Sequence, residues 1–159
     1  MNQNKQKITK KWNNLIYYGL LFIITSFTQT SIAMYSFKDQ PSGDIAFNFF
    51  QDIFLGSLFA GIFYISILIF IHKIPRFSVQ LIIHSILLFG LWFLQCLSVF
   101  MDREASWSTY SMRESIIYTL HYSLMPLLTT LLIYIFISFR LYNYSKGVHL
   151  LTDMVKPRS

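Results

Sequence analysis

The chain has 159 residues, 54% of them hydrophobic and 13% charged, with a formal net charge of +6 at pH 7. A soluble domain carries about 25% charged residues, so this composition excludes an ordinary water-solvated fold and points to a polytopic membrane protein. A single cysteine, Cys96, excludes an internal disulfide, a dithiol redox pair and a cysteine-based metal cluster.

Residues 1–14 are polar and hold Lys5, Lys7, Lys10 and Lys11, which reads as a loosely ordered tail. The first apolar segment spans about 15–35, and its far half, from Thr25 to Ser31, is rich in hydroxyl groups. A signal peptide is the rival reading of this stretch, with a small-x-small cleavage site at Ser31 and Ala33. The long polar run before Ala33 favours an uncleaved span. A loop follows over 36–52, with a turn signal at Pro41, Ser42, Gly43 and Asp44.

The second and third segments, 53–71 and 77–100, contain no Lys, Arg, Asp or Glu. Each can cross a hydrocarbon core of about 30 Å at about 1.5 Å per residue. Between them lie only His72, Lys73, Ile74, Pro75 and Arg76. Pro75 breaks the helix and the two cations resist lipid, so this is a membrane hairpin with its turn in water. A second loop holds Asp102, Arg103 and Glu104, which read as a solvated cluster. The fourth span covers about 113–139, with a kink expected at Pro126, and residues 145–159 form a basic tail. The predicted architecture is all-α: one transmembrane domain over 1–159, a four-helix bundle.

Ten of the thirteen Lys and Arg fall on the side of the termini and the 72–76 turn: Lys5, Lys7, Lys10, Lys11, Lys73, Arg76, Arg140, Lys146, Lys156 and Arg158. The other side keeps Lys38, Arg103 and Arg113 among six acids. This asymmetry predicts both termini in the cytoplasm of a bacterial inner membrane. The positive charge is therefore a topology signal rather than a nucleic-acid footprint.

Polar groups within the spans carry the remaining information, because burying them without partners is unfavourable. At about 100° per residue, Gln80, His84, Gln95 and Ser98 form one stripe on the third span. It reads first as interhelical hydrogen bonding and second as a ligand or proton-sensing track. On the fourth span Ser115, Thr119, Ser123, Thr130 and Tyr134 share a side, while Glu114 and His121 share another that would suit a neighbouring copy. Gly56/Ala60 and Ser57/Gly61 make two small-xxx-small pairs, expected where the second span meets a neighbouring helix. His84 and His121 raise bis-histidine haem, but their depths differ by about 9 Å at helical rise. No cofactor and no metal are expected.

The sequence contains no G-x-S-x-G, no H-E-x-x-H and no Gly-rich phosphate loop, and no carboxylate lies deep in a span. The expectation is a non-enzymatic protein acting by contact, with the bilayer and a membrane protein as partners. Four spans, cytoplasmic ends and a short basic inner turn resemble the immunity proteins that protect against colicin A-type pore-forming bacteriocins. The resemblance covers all four spans in architecture, carries no residue motif, and implies a defence role. An oligomeric channel, transporter or sensor subunit is the alternative, and a haem-b electron carrier the third.

Overall fold

A computed structural model describes residues 2–42, 48–71, 73–105 and 109–154. It contains four helices, α1 (Asn2–Ala33), α2 (Phe49–Ile71), α3 (Phe77–Arg103) and α4 (Met112–Met154), with a 3-10 turn at Tyr35–Phe37. Among the described residues there is no strand. Each helix contains a stretch long and apolar enough to cross a membrane: Ile16–Ala33, Phe49–Ile71, Ser78–Arg103 and Met112–Arg140. The chain is a four-helix membrane bundle. Gly43, Asp44, His72, Trp107, Lys156 and Arg158 lie outside the described residues.

Local chemistry sets the helix ends. Past Ile71 the backbone tightens, with Lys73 N–H donating to the Phe70 carbonyl (3.1 Å) and Ile74 N–H to the Ile71 carbonyl (3.0 Å). Gln80 Nε2 reaches back from α3 to the Ile74 carbonyl at 2.6 Å and ties the turn that Pro75 forces. At the start of α4, Ser111 and Glu114 form a capping box. Ser111 N–H donates to Glu114 Oε2 at 2.8 Å, and Glu114 N–H donates to Ser111 Oγ at 3.4 Å. From there α4 runs unbroken through Pro126. In the hydroxylic half of α1 two threonines satisfy their hydroxyls on the helix's own carbonyls. Thr25 Oγ1 donates to the Leu21 carbonyl (2.8 Å) and Thr28 Oγ1 to the Ile24 carbonyl (2.9 Å).

The interior is layered along the bundle. Nearer the termini, Phe22 of α1, Tyr64 and Leu68 of α2, Leu88 and Trp92 of α3, and Leu127 and Tyr134 of α4 form one apolar cluster. Phe22 stacks on Tyr64 with centroids 4.5 Å apart. At the opposite end, Ala33, Met34, Phe37, Phe49, Ile53, Cys96, Val99 and Phe100 form a second. Between them lie buried polar groups: Ser26 of α1 bonds to Gln95 of α3, Gln95 bonds to Ser57 of α2, and Gln29 of α1 bonds to Cys96 of α3. Helix association in lipid gains little from the hydrophobic effect, so close packing and such polar contacts hold the bundle together.

The α1–α2 seam is reciprocal. A side chain at Gly61 of α2 would meet Ile23 Cγ1 of α1 at 2.5 Å, and one at Gly19 of α1 would collide with Ile65 of α2. Each helix thus presents a glycine to an isoleucine of the other, four residues along. This lets the two backbones approach closely. Meanwhile large apolar side chains stay exposed along every helix, among them Phe59, Ile86, Leu132 and Phe136. A continuous apolar flank of that extent is expected of a surface that faces lipid.

Candidate functional site

The site is built on α2 and α3, with a wall supplied by α1. Gln95 is its hub. Its Nε2 donates to the Ser57 hydroxyl at 2.8 Å and to the Ile53 carbonyl at 3.0 Å, and its Oε1 accepts from the Ser26 hydroxyl. Ser57 Oγ donates in turn to the Ile53 carbonyl at 2.7 Å. One amide therefore joins three helices, with both its N–H groups and its oxygen engaged. Gly56 lies against it, and a Cβ there would stand 3.4 Å from Gln95 Nε2, in ordinary contact. Beside the hub, Thr30 Oγ1 donates to Gln29 Oε1 at 3.1 Å and Gln29 Nε2 to Cys96 Sγ at 3.4 Å. Cys96 is a packed, buried thiol within that group.

Two to three helical turns further on, α3 ends in a clasp. Arg103 is 3% exposed and pairs through Nη2 with Asp52 at the start of α2. Its Nη1 donates to the Gln40 carbonyl at 2.9 Å, and the guanidinium lies 5.2 Å from the centre of the Phe49 ring. Arg103 Nε has no hydrogen-bond partner among the described residues. Next to it, Ser42 Oγ donates to Asp102 Oδ2 at 2.6 Å. Gln40 and Ser42 belong to the α1–α2 connection, so the end of α3 ties that connection down.

Between the hub and the clasp, α2 and α3 enclose a slot of about 480 Å³. Leu55, Gly56, Ala60, Leu91 and Leu94 supply much of its apolar wall, and Asp52, Asp102 and Arg103 line its charged end. That volume falls within the range of about 300–1,000 Å³ usual for small-molecule sites. Leu94 and Ser98 are exposed at its edge, so the slot opens sideways, toward the surface that lipid would cover.

The stripe of α3 divides into separate tasks. Gln95 is the hub, Ser98 edges the slot and Gln80 ties the hairpin turn. His84 faces α2, its Nδ1 3.5 Å from Tyr64 Oη, which in turn lies 2.7 Å from Tyr134 Oη of α4. The small residues of α2 divide as well. Gly61 packs against α1, Ser57 bonds to Gln95, and Gly56 and Ala60 line the slot. On α4, Ser115, Thr119, Ser123 and Tyr134 turn inward, with Thr130 half-buried, while His121 is exposed beside Tyr122 and Glu114 caps its own helix.

Sequence reasoning missed the clasp. Arg103 lies in α3 and is buried, rather than in a solvated loop with Asp102 and Glu104, because α3 continues past Phe100 by almost a turn. The signal was present: an acid just before the second apolar run and a base just after the third lie at the same end of adjacent antiparallel helices. Among the described residues, no three His, Cys, Asp or Glu side chains converge as a metal site would require. Comparison with known proteins found no matching family model, no matching curated protein and no matching solved structure.

Proposed function

We propose that this chain is a non-enzymatic protein of the bacterial inner membrane that acts by recognising a protein partner within the bilayer. Its recognition face is the α2–α3 side, and its role is of the immunity or defence type. The single observation behind this reading is the slot between α2 and α3, open sideways and backed by a hydrogen-bonded hub and a part-buried ion pair. A recognition surface needs rigid support behind it, and the hub and the clasp supply that support here. The distribution of Lys and Arg favours cytoplasmic termini, which puts the slot in the outer half of the bilayer. A membrane-inserted toxin helix approaching from outside would meet this half first. The channel or transporter alternative would use a polar face between copies, whereas the Gln95 amide is engaged inside one chain.

The test is survival. Cells expressing the chain are challenged with pore-forming bacteriocins of the colicin A type, and the expected result is protection. Gly56→Leu and Ala60→Leu together, at unchanged expression, should abolish it. Absence of protection by the native chain, or full protection by the double variant, would count against the reading.

A further inference from the structure

Helix α4 is the least enclosed of the four. Of its Met112–Arg140 span 17% is buried within the bundle, against 28–33% for the other three spans. It packs on α3 and α1, and its buried side chains, Ser115, Thr119, Ser123, Leu127 and Tyr134, mark the inward side. At about 100° per residue, His121 points almost directly away from them. Its ring is exposed, and at about 1.5 Å per residue it lies roughly 13 Å along the span from Met112. It meets the ring of Tyr122, its neighbour in the chain, edge-to-face with centroids 5.7 Å apart. Exposed hydroxyls on the lipid-facing flanks are satisfied within their own helices. Thr28, Ser66 and Thr129 each donate to the carbonyl four residues back, all at 2.9 Å. A neutral imidazole donates at one nitrogen and accepts at the other, and alkyl chains offer it neither partner.

His121 heads a row that runs along the outward side of α4. Met125, Leu128, Leu132, Ile135 and Phe139 follow, alternately four and three residues apart. That alternation is the seam of two helices wound left-handed about each other. Met125 and Leu132 are 72% and 67% exposed, so the row is open to a partner. Copies of one chain share a topology, so two α4 helices meet in parallel about a twofold axis along the membrane normal. Each seam residue then faces its own copy, and such an interface requires self-complementary groups. A pair of imidazoles qualifies, because one ring donates and the other accepts. Glu114 lies on the same side one heptad earlier, at the end of the span, where Ser111 of its own helix holds its carboxylate. The seam therefore begins below it. We propose that this face binds a second copy of the chain, giving a parallel homodimer through α4 with the two His121 rings hydrogen-bonded across the axis. Helix α2 stands across the bundle from α4, so the slot stays open in the dimer.

Full-length protein, labelled at its C-terminus with donor or acceptor fluorophores and reconstituted in vesicles over a range of lipid-to-protein ratios, provides the test. Energy transfer should rise as lipid is withdrawn and follow a monomer–dimer equilibrium. His121→Leu should weaken the dimer about threefold, the factor expected of one interhelical hydrogen bond in a membrane. His121→Asn, whose amide also donates and accepts, should restore it. In a Cys96→Ser background, Leu128→Cys and Leu132→Cys should each form disulfide dimers in native membranes, whereas Ile133→Cys, exposed on the flank, should not. Energy transfer at the level of an unrelated monomeric membrane protein overturns the proposal, as does an unchanged or tighter dimer in a folded His121→Leu variant. So does cross-linking as strong from Ile133→Cys as from Leu128→Cys, or a Leu128→Cys adduct with a different protein. Gly56→Leu with Ala60→Leu, the pair that tests the slot, should leave energy transfer unchanged, so the two readings fail separately.

Discussion

Helix α2 has two seams, and they use small residues in opposite ways. Against α1, Gly61 and Gly19 each accept an isoleucine of the facing helix, and a side chain at either glycine would collide with it. Against α3, Gly56 and Ala60 stand beside a slot of about 480 Å³, bridged by one amide and one ion pair. Small residues at a spacing of four therefore permit either close approach or an opening. What decides is the opposite side chain: a branched aliphatic knob fills the gap, while a glutamine spans it and leaves room alongside. The first seam is closed by packing, and the second is held by polar groups beside an opening.

Substitutions should separate the two seams, beginning with the clasp. Arg103→Met leaves the Asp52 carboxylate partly buried without its cation, and such a loss destabilises by about 3 kcal/mol. Thermal unfolding in detergent should show it, and Asp52→Leu added to Arg103→Met should recover part of the loss. Gly61→Leu forces a side chain into Ile23 at the α1–α2 seam, and overpacking of this kind costs about 1–3 kcal/mol. Gly56→Leu should cost less, because the group it meets is a flexible glutamine beside open space. Equal unfolding midpoints for the two glycine variants would remove the distinction between the seams. Gln95→Leu takes three hydrogen bonds from the hub, and at about 0.6 kcal/mol each in a membrane setting the loss is roughly 2 kcal/mol or less. Ala60→Val, facing the slot, should change the midpoint least of all.

The four helices were legible because uncharged runs of bilayer length admit few other structures. The grouping of Ser115, Thr119 and Ser123 on one side of α4 was legible too, since they recur every four residues, but the direction that side faces was not. What periodicity could not supply was the neighbour at each depth. Gln80, His84 and Gln95 share an angular sector of α3, yet one meets its own hairpin turn, one a tyrosine of α2, and one both α1 and α2. Arg103 and Asp52 are 51 residues apart, and a charge at the end of an apolar run reads as solvated until the adjacent helix is in place. Gly19 passed unnoticed for the same reason, because its partner Ile65 lies on another helix.

The most direct test joins α2 to α3 inside one chain. A Cβ at Gly56 would lie 3.7 Å from Gln95 Cγ, close enough for cysteines at the two positions to bond with small adjustment. In a Cys96→Ser background, Gly56→Cys with Gln95→Cys should oxidise in native membranes to an internal disulfide, at monomer mass and reversibly with reductant. Disulfide-linked dimers in place of that product, or two cysteines that never react, would contradict the bundle and the slot it encloses.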